Sequence, residues 1–185
     1  MLQAIKEFTK GPGILISTVM WEFFSVTGMR ALLIFYLIQK LHFTDKNADQ
    51  LYAAYISLIW VTPLIGGWLA DRYLGFKYSV ILGSILIMLG HITMSFSCSA
   101  ALYVGLSLLI CGIGCFKTNA VCLVASYYQQ QQQKLPAMMT LYYVGANVGG
   151  TLAPILCAYL QLRYGYNIAF LAAAIGMAAG LVTVI

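Results

Sequence analysis

Long apolar runs separated by short polar connections dominate this chain. Six of the runs approach the ~20 residues that a helix needs to cross the hydrocarbon core of a bilayer. They cover roughly residues 13–38, 50–70, 78–96, 100–128, 136–162 and 167–185. Apolar and polar residues do not alternate within them as they do in the strands of a membrane barrel. The pattern predicts an all-α integral membrane protein with six helices; the last continues to Ile185, so we expect it to be truncated and the chain to belong to a larger protein.

The amino-acid composition supports a membrane protein and excludes several other classes. Of the 185 residues, 62% are hydrophobic and 8% are charged, and the mean hydropathy is +0.87. Soluble domains are about 45–50% apolar and about 25% charged, and a chain of this length cannot bury such an excess in its own core. A soluble enzyme, a nucleic-acid-binding protein and a secreted disulfide-stabilised domain are therefore excluded.

No motif for catalysis or for metal binding is present in the sequence. The five cysteines lie in apolar stretches, and their spacing does not match a metal site. The H-E-x-x-H and G-x-S-x-G motifs of hydrolases are also missing. We expect a protein that is not an enzyme and that holds no metal or cofactor.

The basic residues predict an orientation in the membrane. Ten Lys and Arg against five Asp and Glu give a net charge of +5, and the basic residues are dispersed rather than clustered. With a cytoplasmic N-terminus, the inner connections carry Lys6, Lys10, Arg72, Lys77 and Lys134, and the outer ones carry Lys40, Lys46 and Arg163. The excess of basic residues on one side favours this orientation, in the cell (inner) membrane. The run Gln129–Gln133 is interpreted as a polar tether between two helices.

Three charged residues lie deep in the predicted helices, where charge is costly. Glu22 and Arg30 share the first helix about 12 Å apart along its axis, and Lys117 lies near the middle of the fourth. Each costs at least about 2.5–3.5 kcal/mol at a helix centre, so all should face a protein interior or a wet cavity. The two cations exceed the single carboxylate, which predicts an anionic substrate group; a structural ion pair between helices is the alternative. His91 is expected to bond a neighbouring helix rather than to relay protons.

The segment from residue 66 to residue 77, GGWLADRYLGFK, resembles the loop signature of the major facilitator superfamily. Its glycines, including Gly67 and Gly75, are expected to permit tight packing and turning. Asp71, followed by Arg72, is expected to lie against a neighbouring helix N-terminus, whose partial positive charge favours a carboxylate. The resemblance implies a gating or structural role for this loop.

Three further segments are similar to motifs of the proton-dependent oligopeptide transporter (POT) family. Residues 19–30, 112–119 and 141–150 resemble, in this order, E-x-x-E-R-F-x-Y-Y-G-x-R, G-x-G-x-x-K-P-N and F-Y-x-x-I-N-x-G-S. The resemblance implies the major facilitator fold, with this chain as the N-terminal six-helix half of a transporter of twelve or more helices. It also implies inward symport of di- and tripeptides with protons. The partners expected are a short peptide or other carboxylate, the bilayer and the C-terminal half, but no nucleic acid.

The resemblance also implies roles for individual residues. Arg30 and Lys117 match positions that hold the carboxyl end of the peptide, and Glu22 matches a glutamate of the proton-coupling motif. Asn147 and Tyr55 match an amide and a tyrosine of the substrate cavity. Two alternative roles remain open. Tyr55 also fits the role of an aromatic residue at the membrane interface, and Asn147 fits that of a hydrogen-bonding residue between two helices.

The chain departs from the family motifs at several positions. Val19 and Phe23 replace the first glutamate and the arginine of the helix-one motif, so a carboxylate and a cation are lost together. Val26 and Thr27 replace two tyrosines, which should widen the pocket and make it more apolar, and Thr118 replaces the helix-four proline. Two alternatives remain open: the same fold carrying another anionic solute or lacking proton coupling, and a membrane half-bundle that transports nothing.

Overall fold

Six long helices make up the computed structural model, which describes residues 12–184 and leaves Lys6, Lys10 and Ile185 outside. We label the helices α1 (Pro12–Phe35), α2 (Asp45–Leu69), α3 (Phe76–Met94), α4 (Ser99–Tyr127), α5 (Leu135–Tyr164) and α6 (Tyr166–Val184). Each is long and apolar enough to cross a bilayer, which confirms the prediction of six membrane-capable helices. The Gln run ends in a single 3₁₀ turn, Gln132–Lys134, before α5.

The helix ends differ from the predicted bounds where polar residues form caps and wide turns. α2 begins at Asp45 rather than at residue 50, because the Thr44 side chain accepts a hydrogen bond from the Asn47 N–H (3.4 Å). α1 and α2 each continue into a π-helical turn, Tyr36–Lys40 and Ala70–Leu74. There the backbone bonds close rings one residue wider than in an α-helix.

The six helices form two similar sets of three, α1–α3 and α4–α6. α2 packs on α4 as α5 packs on α1, and α3 packs on α4 as α6 packs on α1. α2 and α5 each contain an internal proline, Pro63 and Pro154, and each is followed by a glycine with positive φ, Gly75 (73°) and Gly165 (89°). Equivalent helices are three apart in the chain and successive helices alternate in direction, so equivalent helices of the two sets run antiparallel, as in inverted-repeat transporters.

Burial differs strongly between the helices and determines where a site can form. α1 and α4 are the most enclosed helices, whereas α2 and α5 leave broad apolar faces exposed. The exposed residues include Trp60, Leu64 and Trp68 on α2 and Ile155 and Leu162 on α5. The intramembrane charges of α1 and α4 therefore lie beside helices that are open on one side.

Candidate functional site

The three intramembrane charges lie close enough to one another to interact. Glu22 is 4% exposed, and Arg30 and Lys117 are half-buried. Both cations act on Glu22 through their charges, Lys117 more strongly than Arg30. Within residues 12–184, neither cation forms an ion pair with a carboxylate. The cluster is thus one buried carboxylate facing two cations at a distance, with a net positive charge.

Tyr55 belongs to this cluster, whereas Asn147 does not contact it. Tyr55 is 1% exposed, and the charges of Arg30 and Glu22 act on its hydroxyl group. Its hydroxyl makes no hydrogen bond within the described part of the chain. Asn147 lies on an exposed position of α5, and its Nδ2 donates to the Tyr143 carbonyl of the same helix (2.8 Å). The structure therefore brings Tyr55 to the three charges and leaves Asn147 on the open face of α5.

The contact between α2 and α4 fixes the position of Lys117. A Cβ at Gly66 would overlap the Gly114 backbone, so the two helices approach as closely as two glycines allow. Asn119 Nδ2 donates to the Gly66 carbonyl (3.1 Å), and Thr62 Oγ1 donates to the Ile110 carbonyl (3.1 Å). These two hydrogen bonds flank Lys117 along α4 and set the register of the two helices.

The replacement of proline by Thr118 suits the unbroken course of α4 past Lys117. α4 runs without interruption from Ser99 to Tyr127. A proline at position 118 has no N–H for the helix ladder and would crowd the carbonyl of Gly114, four residues earlier. Threonine keeps that hydrogen-bond donor, so the segment that carries Lys117 is a regular helix.

The loop motif at the end of α2 is only partly explained by packing. The close helix contact is made by Gly66, whereas a Cβ at Gly67 would meet only Thr118 Cγ2 at 3.8 Å. Gly75 has a φ of 73°, which glycine adopts readily, and it ends the wide turn before α3.

Two charged residues of the loop motif make few contacts within the described residues. Asp71 is exposed, and the structure records no hydrogen bond or ion pair for it with residues 12–184. Arg72 lies over the ring of Tyr73 (5.7 Å to the centroid).

Two aromatic residues belong to the cluster, although the sequence did not identify them as site residues. Lys117 Nζ lies 4.0 Å from the ring centroid of Trp60 on α2. Tyr142 on α5 is buried, and the charge of Glu22 acts on it. Trp60 carries no sequence signal, because it is one apolar residue in an apolar run. Tyr142 lies inside the helix-five motif, but the motif alone does not distinguish it from the exposed Tyr143.

His91 corrects one expectation. It is completely buried in α3, but neither ring nitrogen forms a hydrogen bond in residues 12–184. The expected bond to a neighbouring helix is therefore wrong for this side chain. In the same part of the chain no charged neighbour acts on it, so the described residues give no support to a proton relay.

The fold and the charged cluster define an integral membrane protein with the architecture of one half of a major facilitator superfamily transporter. The model of the POT family matches residues 77–185, which is more than half of the chain. The chain belongs to the POT family. The motifs quoted from the sequence had predicted this membership, which is now confirmed.

Individual relatives agree with this assignment. The chain is 38% identical over 171 residues to "Uncharacterized transporter YclF" of Bacillus subtilis (strain 168), covering 89% of this chain and 35% of that protein. It is 32% identical over 166 residues to "Dipeptide and tripeptide permease A" of Proteus mirabilis (strain HI4320), covering 89% and 34%. The chain therefore spans about a third of the length of these curated relatives.

Solved structures of the same family have a closely similar fold. A crystal structure of peptide transporter POT in complex with sulfate superposes with a TM-score of 0.91 at 34% identity, over 95% of this chain and 37% of that chain. A POT family transporter in complex with 5-aminolevulinic acid superposes with a TM-score of 0.88 at 33% identity, over 93% and 37%. The matched proteins are transporters rather than enzymes.

Proposed function

We propose that this chain is the N-terminal half of a proton-coupled symporter of di- and tripeptides, working by alternating access with a second six-helix half. The observation that carries the proposal is the buried carboxylate of Glu22, on which two cations act without forming an ion pair. Charges inside a membrane are costly and face a functional cavity when they are retained. The peptide permease among the relatives supports peptides as the substrate class.

The net positive charge of the cluster supports binding of a carboxylate. Glu22 can balance only one of Arg30 and Lys117, so the other cation needs an anionic partner. A peptide supplies one in its terminal carboxylate, and a guanidinium can hold a carboxylate through two parallel hydrogen bonds. We assign Arg30 and Lys117 to the carboxyl end of the substrate. Tyr55, buried beside them, is assigned to the same cavity.

Glu22 is the group we assign to proton coupling. When it is ionised, it attracts both cations; when it is protonated, that attraction is lost and the cations are free to bind substrate. Protonation from outside therefore favours loading, and release of substrate and proton inside restores the starting charges. Val19 and Phe23 lack ionisable groups, so Glu22 is the acid that the helix-one motif retains.

The remaining assignments concern the surroundings of the site. Asn147 is on the open face of α5, where we propose that it meets substrate when the second half completes the cavity. Gly67, Asp71, Arg72 and Gly75 are assigned to the loop that changes its contacts as the halves move. Arg72, Lys77 and Lys134 share one end of the bundle, and we propose that this end faces the cytoplasm of the cell (inner) membrane.

Uptake of labelled dialanine into proteoliposomes that contain the full-length protein tests this proposal. The measurement is made with and without an inward proton gradient, and protein-free liposomes are the control. Accumulation that requires the gradient supports a proton–peptide symporter. Equilibration without accumulation would contradict the coupling, and no uptake of dialanine would contradict the substrate class.

A second candidate is transport of another small carboxylate by the same site. The net positive charge of the cluster favours it, and one matched structure is a POT family transporter in complex with 5-aminolevulinic acid. Labelled 5-aminolevulinic acid replaces dialanine in the same proteoliposomes. Uptake of this compound without uptake of dialanine would favour the second candidate over the first.

A further inference from the structure

The ammonium of Lys117 rests on the face of Trp60. The 4.0 Å between Lys117 Nζ and the ring centroid is well inside the ~6 Å at which a cation is attracted by an aromatic face. Two other charges act on Lys117 from a distance: Glu22 attracts it and Arg30 repels it. The indole is thus the group in direct contact with the ammonium, while the carboxylate and the guanidinium act from farther away.

The backbone brings this pair together without help from the two side chains. Thr62 follows Trp60 by two residues on α2 and is bonded to the Ile110 carbonyl of α4. Asn119 follows Lys117 by two residues on α4 and is bonded to the Gly66 carbonyl of α2. Trp60 itself is 64% exposed. Its replacement should therefore leave the packing of α2 on α4 intact.

We propose that Trp60 is a positioning residue for Lys117, which it holds at the open face of the bundle for a substrate carboxylate. This inference rests on the proposed function of the site. An aromatic face attracts a cation without neutralising it, and it covers only one side of the ammonium. The hydrogen-bond donors on the other side stay available, whereas an ion pair with Glu22 would draw the ammonium toward a carboxylate that is 4% exposed.

Transport by Trp60 variants tests the functional consequence. In Trp60→Leu, loss of the aromatic face should raise the KM for dialanine about tenfold, the size of effect expected for a partly desolvated cation–π contact. The maximal rate should change much less. Trp60→Phe keeps an aromatic face and should stay close to the parent protein. An unchanged KM in Trp60→Leu, or an equal loss in Trp60→Phe, would overturn the proposal.

Trp68→Leu is the matched control. Trp68 is also an exposed tryptophan of α2, but its ring contacts Tyr73 instead of a lysine. Its replacement removes the same side chain from the same helix. Because Trp68 lies in the loop segment 66–77, its loss is expected to affect the maximal rate rather than the KM for dialanine, which should stay unchanged. A rise in KM equal to that of Trp60→Leu would show that the loss of any exposed tryptophan of α2 weakens binding, and would overturn the assignment to Lys117.

A spectroscopic measurement tests the contact itself and does not depend on transport. Lysines of the solubilised full-length protein are reductively methylated with ¹³C, and the Lys117 resonance is assigned by its loss in Lys117→Arg. Methyl protons above an indole face are shifted upfield by the ring current. The Lys117 signal should be shifted in this way in the parent protein and in Trp68→Leu, but not in Trp60→Leu.

The two measurements separate failure of this inference from failure of the proposed function. A Lys117 signal that is unshifted, or that ignores Trp60→Leu, overturns the role of Trp60 whatever is transported. An upfield signal that Trp60→Leu abolishes supports the contact even if dialanine is not a substrate. A shift of that signal on addition of dialanine supports both, because the carboxylate then reaches the ammonium that Trp60 holds.

Discussion

The two equivalent helix crossings of the bundle are held together by different forces. Where α2 crosses α4, Gly66 meets the Gly114 backbone, and Thr62 and Asn119 add two hydrogen bonds between the helices. Where α1 crosses α5, Gly149 meets the Met20 backbone just as closely. In the described residues, however, no side-chain hydrogen bond joins α1 to α5. Hydrogen bonds fix the register of α2 on α4, whereas the α1–α5 crossing depends on shape complementarity.

The difference concerns the two helices that carry the charges. Lys117 lies on α4, at the crossing with hydrogen bonds, whereas Glu22 and Arg30 lie on α1, at the crossing without them. Hydrogen bonds between membrane helices fix register, while small residues permit close approach without specifying it. We infer that Lys117 keeps a constant position relative to α2, whereas Glu22 can shift relative to α5 when it gains or loses its proton. α1 itself stays joined to α6 by the Thr18–Thr183 hydrogen bond (2.8 Å).

The largest effect is expected from adding a methyl group at the close contacts. Gly66→Ala and Gly149→Ala each place a Cβ against a backbone carbonyl, of Gly114 and of Met20. Overpacking of this kind costs about 1–3 kcal/mol of folding free energy, and sometimes more. Gly66→Ala should cost more, because separating α2 from α4 also breaks two hydrogen bonds. Thermal unfolding of the purified full-length variants in detergent measures both losses.

Neighbouring glycines provide the controls for this prediction. A Cβ at Gly67 would meet its nearest atom at 3.8 Å, and one at Gly150 at 3.7 Å, which are ordinary contacts. Gly67→Ala and Gly150→Ala should therefore unfold at nearly the parent temperature. Equal losses for Gly66→Ala and Gly149→Ala would show that the hydrogen bonds add nothing to the α2–α4 crossing.

Removal of either cation should abolish transport without unfolding the protein. Lys117→Ala and Arg30→Ala each leave Glu22 to balance the remaining cation, so the substrate carboxylate loses its partner. Uptake of dialanine should fall to the level of protein-free liposomes in both variants, with thermal unfolding near that of the parent. Lys117→Arg keeps the charge and should retain part of the uptake. Normal uptake in either alanine variant would end the assignment of a carboxylate clamp.

Glu22→Gln should have a smaller and more selective effect. The neutral glutamine resembles the protonated acid, so both cations remain free to bind substrate, but no proton can be released. Exchange of labelled for unlabelled dialanine across the membrane should continue, while accumulation driven by a proton gradient is lost. A glutamine variant that still concentrates dialanine under the gradient would show that another group couples the proton.

How much of this could be predicted from the sequence depends on the kind of interaction. The six helices follow from run length, and the meeting of Glu22, Arg30 and Lys117 follows from the cost of isolated charge in a membrane. The α2 start at Asp45 was missed because its first turn is polar and is stabilised by the Thr44 cap. The length of an apolar run gives no information about such a cap.

The side-chain contacts of the site were less predictable. Trp60 and Tyr142 are apolar residues in apolar helices, so their nearness to Lys117 and Glu22 depends on helix rotation, which one sequence does not specify. The sequence does not distinguish the adjacent glycines Gly66 and Gly67, yet Gly66 faces the Gly114 backbone and Gly67 faces the Thr118 side chain. The role of Asn147 stays a prediction, since the cavity it would line needs helices beyond those described.

The smallest predicted effect tests the contrast between the two crossings most directly. Thr62→Val is nearly isosteric and removes the hydroxyl that bonds the Ile110 carbonyl across helices and the Leu58 carbonyl within α2. Interhelical hydrogen bonds in membranes average about 0.6 kcal/mol, so the unfolding free energy should fall by about that much. Thr93→Val is the matched control, because within residues 12–184 the Thr93 hydroxyl bonds the Leu89 carbonyl of its own helix (2.8 Å) and no group of another helix. Equal stability of the two valine variants would mean that the α2–α4 crossing, like α1–α5, is held by shape, and that Lys117 is no more fixed than Glu22.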